Sequence, residues 1–415
     1  MGVGGSSGKT SVAHLTALIL NSKYKVRETS GKNSETGIPL AILGIDPGNY
    51  SVFGWFIVFL KSIFAILTNF KKYDVLVAEL GIDGPKPPKN MAYLLKIIKP
   101  NISILTNISL EHSVYFEEFV HEKDDKKRKD AIFELIKDDE LRLIKNIDSK
   151  STAIVNFDDE AIKESLKDVR AKIISVSWMN KNATYFIRSF DVTIDQTRIN
   201  FSFDGKDYEI SIQTPLPSFY SYSIVLSIAV ANVLNISAND AKETIEENFS
   251  LPSGRLSIFD GIKNTKIIDS SYNNSIEALG GVLEMVAKIG GGKRKIGILG
   301  DIREQGKQSE ELHKQMARKI IDTLDFVILI GPMTQSYIAP ILKKNKFQFK
   351  SFLTYSETKQ YIPEAIEKGD LIIVKGSQNT LLLERVVEML LKNKEDVKKL
   401  CRRGEYWDQQ RQITP

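Results

Sequence analysis

Val3-Gly4-Gly5-Ser6-Ser7-Gly8-Lys9-Thr10-Ser11 stands almost at the head of the chain, and its reading decides the fold. Glycines let backbone N–H groups turn toward an anion, and a helix that starts beside them adds positive potential. Gly8-Lys9-Thr10 has the GK[ST] form of a phosphate-binding loop. In that reading Gly5, Ser6, Ser7, Gly8 and Ser11 cradle phosphate groups. Lys9 reaches the β- and γ-phosphates, and the Thr10 hydroxyl binds Mg²⁺. The first glycine of the generic spacing falls on Val3. A plain glycine-rich turn is disfavoured, because the loop opens an apolar-periodic helix with Val12, Leu15 and Ile19 on one face. Such a loop follows a buried strand, and so few residues precede it that the chain is expected either to begin inside that strand or to be a fragment of a longer ancestor.

Working outward, the chain alternates strand and helix. Asp74–Glu79 (DVLVAE) and Asn101–Thr106 (NISILT) are continuous apolar runs, as buried parallel strands require. Residues 121–145 are charged and helical. Ala153–Asn156 and Lys172–Val176 read as further strands. Residues 183–213 alternate apolar and polar, with turns at Asp191–Gln196 and Asp204-Gly205, which predicts a small antiparallel meander. Two helices fill about 219–248. Leu251-Pro252-Ser253-Gly254 is a turn cluster and marks a domain boundary. Beyond it, strands at Lys266–Asp269, Lys295–Leu299, Asp325–Ile330, Phe347–Leu353 and Asp370–Val374 alternate with helices, the pattern of a doubly wound domain. The fold class is therefore α/β: residues 1–252 form a phosphate-loop domain with a parallel sheet and a small antiparallel β insertion, and 253–415 a Rossmann-like domain.

Composition narrows the function. The chain has 415 residues, 42% hydrophobic and 26% charged, values of an ordinary soluble protein that exclude fibrous and disordered classes. A single cysteine, Cys401, forms neither an intramolecular disulfide nor a thiolate cluster, which fits a reducing cytoplasm. The net charge of +5 is too small to argue for nucleic acid. No secretory signal fits the first residues. Val52–Phe70, VFGWFIVFLKSIFAILTNF, approaches the roughly 20 residues of a membrane span. Lys61 at its middle is costly there, and a span would separate the loop from everything beyond Lys71. A buried or membrane-surface helix is favoured. The basic tail Lys392–Arg403 reads as a solvated helix end.

Several residues at strand ends can carry chemistry. Glu79 closes its strand, where a carboxylate beside the loop holds the nucleotide's metal ion. Thr106-Asn107 closes the next, and His112 follows. In the second domain Asp269 with Ser270–Ser275, Gly300-Asp301 and Lys375-Gly376-Ser377 each follow a strand and would share one sheet edge. Each, in isolation, is more commonly just a polar loop.

With these segments assembled, the chain resembles the Mur ligases, and within them the MurF branch. GGSSGKTS is similar to that family's TGSSGKTS loop, which also lacks the first glycine. NSETGIPLAIL (33–43) resembles a segment ending in IGVPL, and VLVAELG (75–81) a VIELGA strand. KPNISILTNISLEH (99–112) resembles KPDVAVITNI…H. GRL (254–256), IIDSSYNN (267–274), ILGDIREQGKQSEELH (298–313) and IVKGS (373–377) resemble GR, DDSYNAN, LGDMxELGxxSxxxH and VKGSR. The resemblance implies ATP and Mg²⁺ as cofactors. Lys9 and Thr10 would bind ATP and Mg²⁺, Glu79 a metal ion, and His112 a second metal. Lys129 would match a lysine the family carbamylates. Asn273, Arg255, Asp301 and Lys375 would contact nucleotide or substrate, with Ser377 beside Lys375. The implied activity is amide formation between UDP-MurNAc-tripeptide and D-Ala-D-Ala through an acyl phosphate, by a cytoplasmic monomer in peptidoglycan synthesis. A folylpolyglutamate-synthase-like ligase with a non-UDP acceptor, or a non-catalytic nucleotide-binding member, are the alternatives. The sequence departs from the family in four places. The N-terminal UDP-binding domain is expected to be absent. GRHNxxNAxAA is replaced by SFYSYSIVLSIA (218–229), which places Tyr220, Ser221 and Ile224 at its histidine and asparagines. DDSYNAN has become DSSYNNS, and Gln378 replaces an arginine.

Overall fold

Gly2–Gly4 (β1) supplies the strand that the loop needs, and it sits inside a sheet rather than at its edge. The computed structural model describes residues 1–414 apart from 30, 47–50, 69–71, 111–112, 303–308 and 377–379. Eight further strands join β1: Val26–Glu28 (β2), Val75–Glu79 (β3), Ile102–Leu105 (β4), Thr152–Asn156 (β5), Lys172–Ser177 (β6), Tyr185–Val192 (β7), Thr197–Phe203 (β8) and Lys206–Ile212 (β9). Their order is β2-β3-β1-β4-β5-β6-β7-β8-β9, with every pairing from β2 to β7 parallel. Short turns join β7, β8 and β9, as the expected meander requires. Asp204 and Gly205 both take left-handed φ (50° and 71°), the two-residue turn that matches strand twist. The edge strand β2 was not visible in the sequence, because its three residues carry no alternation.

The helices of this region are Lys9–Leu20 (α1), Gly37–Leu43 (α2), Val52–Leu67 (α3), Met91–Ile97 (α4), Asp125–Lys145 (α5), Glu160–Ser165 (α6), Tyr220–Val233 (α7) and Ala238–Asn248 (α8). Parallel strands buried on both faces need helices on both. Ala78, Leu105, Ala153 and Val155 pack with Leu94 of α4 and Ile136 and Leu143 of α5. α1 and α7 pack against each other and against strands of the same sheet. One helix breaks the pattern. Of α3 only Val58 is buried, so the buried form expected for this stretch is not what the structure shows. No described helix is long and apolar enough to cross a membrane.

A second sheet comprises Ser257–Asp260 (β10), Lys266–Ser270 (β11), Lys295–Gly300 (β12), Phe326–Ile330 (β13), Phe349–Phe352 (β14) and Leu371–Lys375 (β15), in the order β10-β11-β15-β12-β13-β14. β10 is antiparallel to β11 and the others are parallel. Ile276–Ile289 (α9), Ser309–Thr323 (α10), Ala339–Lys344 (α11), Tyr361–Ala365 (α12), Glu384–Leu390 (α13) and Glu405–Ile413 (α14) accompany them. Two compact units result: Met1–Phe190 with Arg198–Ile212 and Phe219–Phe249, and Asp191–Thr197 with Gln213–Ser218 and Ser250–Pro415. The basic tail is only partly the solvated end expected. Lys394–Lys399 is a 3₁₀ turn with no buried residue, but Leu400, Cys401 and Arg402 are buried. Arg402 has a carboxylate partner there, which composition does not reveal.

Ile298 is fully buried on β12, between β13 and β15, in the apolar cluster of the second unit. Ile298→Ala is expected to lower the unfolding free energy by about 2–5 kcal/mol and Ile298→Val by about 1 kcal/mol, read from urea midpoints.

Candidate active site

The chain leaves β1 at Gly4 and turns at Gly5, whose φ of +118° favours glycine. A Cβ there would lie 2.2 Å from Thr106 Oγ1 and 2.9 Å from the Asn107 carbonyl oxygen. Those two residues, which follow β4, hold the loop. Asn107 accepts from Ser6 N–H through its carbonyl (2.9 Å) and from Ser7 N–H through Oδ1 (2.9 Å), while its Nδ2 donates to Ser7 Oγ (2.8 Å). Thr106 Oγ1 donates to the Ser7 carbonyl (2.6 Å), and Ser109 N–H donates to Ser6 Oγ (2.7 Å). Lys9 Nζ donates to the carbonyls of Gly5 (2.6 Å) and Ser6 (3.0 Å). Gly8, also at positive φ (+77°), caps α1. The first bond of the helix runs from Val12 N–H to the Gly8 carbonyl at 3.0 Å. Lys9, Thr10 and Ser11 precede it, at the end where a helix offers donors to an anion.

Thr10 Oγ1 lies 3.1 Å from both oxygens of Glu79, at the end of β3. Asn33 Nδ2 adds a contact at 3.3 Å, and Glu79 N–H donates to Thr29 Oγ1. Gly81 makes room for Asn33, since a Cβ there would lie 2.8 Å from its Nδ2. Hydroxyl and carboxylate oxygens suit Mg²⁺, which is commonly held by one or two protein carboxylates with phosphate and water. Among the described residues no three His, Cys, Asp or Glu side chains gather as a metal cage. His112 lies outside the described residues, as do Ser377 and Gln378. Lys129 is half-buried near the start of α5. Its Cα is eleven residues from that of Glu140, about 16 Å along a helix axis.

Glu140 escaped the sequence reading, although its oxygen accepts the Gly5 N–H at 2.9 Å. It falls in a charged run, yet it shares a buried stripe with Ile132, Ile136, Leu143 and Ile144. An acid on an apolar stripe was the available signal. Burial pushes its carboxyl up to about 7, opposed by Lys9 and by the Gly5 N–H. The neighbouring Asp139 accepts Met91 N–H at 2.8 Å and is pushed up to about 6, again chiefly by burial. Asn33 was also missed; its part comes from tertiary placement. The altered segment 218–229 falls largely on α7. Tyr220, Ser221 and Ile224 are buried. Trp178 Nε1 donates to Ser221 Oγ (3.0 Å), and Ser227 Oγ donates to the Val12 carbonyl (3.2 Å). These hydroxyls serve packing against β6 and α1.

In the second unit Arg255, Asn273 and Lys375 come together. Lys375 is buried at the end of β15, and its Nζ donates to Ser270 Oγ (3.3 Å) and to the Asn273 carbonyl (3.0 Å). Burial, with the Arg255 charge nearby, pushes its ammonium down to about 7. Arg255 and Arg402 each lie 5.0 Å from the Tyr272 ring centroid. Arg402 also bonds the carbonyl of Tyr272 and, at 3.1 Å, buried Glu384. Asp301, after β12, accepts Thr334 N–H at 2.9 Å through one carboxylate oxygen. The histidine that ends ILGDIREQGKQSEELH, His313, is buried too. Its Nδ1 is 2.6 Å from the Ser309 carbonyl, and Ile302 N–H donates to Nε2 at 3.3 Å.

The Glu140 carboxyl predicts a pH effect. Its folded value of about 7 lies above the ordinary 4.5. Stability from the buried acid is thus fully present below about pH 4.5 and lost as pH rises through about 7. Asp139 adds a slope around pH 6 of the same sign. Glu140→Gln keeps an acceptor for Gly5 N–H and removes the titration. Urea midpoints from pH 5 to 9 should fall for both proteins, but less for the variant. Parallel curves would contradict the assignment.

Residues 3–231 match the Mur ligase middle domain, and residues 254–378 match the Mur ligase glutamate ligase domain. UDP-N-acetylmuramoyl-tripeptide–D-alanyl-D-alanine ligase of a Synechocystis species is 25% identical over 399 residues, 94% of this chain and 74% of that protein. MurF from Acinetobacter baumannii shares the fold with a TM-score of 0.73 at 18% identity, over 94% of this chain and 75% of the other. MurF from Thermotoga maritima, solved in complex with ADP, does so with a TM-score of 0.70 at 21% identity, over 96% and 80%. A middle-domain match over more than half of the residues, followed in order by the glutamate ligase match, places this chain in the Mur ligase family.

Proposed function

We propose that the chain is an ATP-dependent amide ligase of the MurF type, joining D-Ala-D-Ala to UDP-MurNAc-tripeptide in the cytoplasm for peptidoglycan synthesis. The observation that carries this reading is the anchored loop with Thr10 on Glu79, in a chain whose similarity to such a ligase runs over 94% of its length. In the reaction a carboxylate oxygen of the tripeptide bonds to the γ-phosphorus of ATP. The bond to the bridging oxygen breaks and ADP leaves. The amine of the dipeptide then attacks the acyl carbon, loses a proton, and phosphate departs.

Charge gathers between phosphate and carboxylate, so preorganised cations and N–H donors supply most of the rate. Lys9, already over the loop carbonyls, would neutralise phosphate oxygens, and the N-terminus of α1 would supply N–H donors. Thr10 and Glu79 are the residues that would hold Mg²⁺, which when bound offsets phosphate charge. Arg255, Asn273 and Lys375 would contact nucleotide or substrate from the glutamate ligase domain, with the domain division at 252/253. By the sequence match alone, Lys129 as a carbamate and His112 would hold a second Mg²⁺.

Phosphate release from ATP is expected to rise when UDP-MurNAc-tripeptide and D-Ala-D-Ala are both present. No stimulation by the pair would sink the substrate assignment. Turnover with glutamate acceptors instead would move the chain to a folylpolyglutamate-type reaction, and binding of ATP analogues without turnover to a non-catalytic role.

Lys129→Ala should reduce that turnover at least 100-fold, about 2.7 kcal/mol of barrier, with an unchanged urea curve. Full activity in this variant would remove Lys129 from the mechanism.

A further inference from the structure

Among the described residues, eighteen large apolar side chains are exposed, and eleven of them lie on α3. Phe53, Phe56, Leu60, Phe64 and Leu67 form one continuous stripe at helical spacing, each at least half exposed. Phe59, Ile63 and Ile66 widen it. The helix is attached to its own unit through a small cluster in which Leu40, Ile45 and Val58 are buried and Leu43 and Ala65 pack against them. A helix this apolar is normally covered, and contiguous apolar surface of this kind marks a contact site.

Two properties select the occupant. Lys61 and Lys72 are exposed and the sequence between Asp46 and Asp74 holds no acid, so the surface is complementary to anions as well as to hydrocarbon. The 16 residues of α3 give a rod of about 24 Å, short of the roughly 30 Å hydrocarbon core, and Lys61 stands exposed in mid-helix. A partner of pure apolar surface has no use for these lysines. A bilayer with anionic headgroups takes both parts: acyl chains cover the aromatic and aliphatic stripe, while Lys61 and Lys72 extend to the headgroups. We propose that α3 is a membrane-surface anchor that lies in the plane of an anionic bilayer and seats the protein on it without crossing it.

The test is flotation of the full chain with vesicles. Vesicles of phosphatidylcholine with phosphatidylglycerol, whose anionic surface attracts basic segments, should carry the wild-type protein upward, and pure phosphatidylcholine at least fivefold less. Phe56→Asp with Phe64→Asp, on the exposed stripe, should lose at least tenfold in bound fraction while phosphate-release activity and the urea midpoint are unchanged. Lys61→Gln with Lys72→Gln should abolish the preference for the anionic lipid. Absence of flotation with the anionic vesicles overturns the proposal. So does wild-type self-association, read by sedimentation equilibrium, that the Phe56 and Phe64 substitutions abolish while vesicle binding persists. In that case α3 joins two copies. Equal binding to both vesicles overturns the anionic part.

Discussion

The backbone of Gly5, Ser6 and Ser7 is the constraint on which the first unit's site depends. A loop that turns through positive φ has little local reason to stay folded, and other elements must hold it. Asn107 does most of this, using its carbonyl, its side-chain oxygen and its side-chain nitrogen on consecutive loop residues. It is in reach because β1 and β4 run parallel in a register that pairs Gly4 with Leu105. Loop and anchor therefore leave the same sheet edge side by side. Thr106 fills the space a Cβ on Gly5 would need. β3 pairs with β1 on its other side and places Glu79 against Thr10. A three-residue strand thus positions both the glycine-rich loop and the carboxylate. For the activity proposed above that placement would be the preorganisation phosphoryl transfer requires, since its catalysis is mainly positioning and charge.

Both units hold backbone turns with buried charge, and in each the choice carries a cost. Glu140 and Asp139 are adjacent on α5 and accept from Gly5 and Met91. Their desolvation is why their carboxyls are pushed up. In the second unit Arg402 and Glu384 form a fully enclosed pair. Replacing such a pair with apolar side chains is often neutral for stability. Arg402, however, also bonds the Tyr272 carbonyl, the residue before Asn273, whose own carbonyl accepts from Lys375. The pair fixes a turn that carries site residues, a job hydrocarbon cannot do.

What the sequence made legible follows the same division. The strands with continuous apolar runs, the meander with its Asp204-Gly205 turn, and the phosphate loop were readable because each has a local cause: a period, a turn dipeptide, or a glycine pattern. Lys9, Thr10 and Glu79 are brought together as expected, and so are Arg255, Asn273 and Lys375. Residues whose part arises only from tertiary placement were not readable. Glu140 looks like one more charge on a charged helix until its neighbours on the stripe are counted. Arg402 looks like part of a basic tail until Glu384 is seen beside it. Asp301 and His313 belong to a recognisable motif, and their bonds also tie the turn after β12 to later segments. Motif matching locates such residues without separating those that meet a ligand from those that shape the loop.

The crossover from β2 to β3 shows how separable these parts are. Near its start Asn33 reaches Glu79. Farther along, α2 and α3 share the cluster of Leu40, Ile45 and Val58. Asn33 is located by the close approach of Gly81, whose missing side chain makes the room, and α3 contributes nothing to that contact. The connection can therefore carry an apolar helix of its own without moving the carboxylate, as surface connections commonly do when their ends are fixed by a sheet. Burial elsewhere in this unit follows from sheet and helix packing. On α3 the exposed apolar residues, unlike Val58, make no contribution to the cluster that holds the helix, so the reason for them lies in what the helix meets outside the chain.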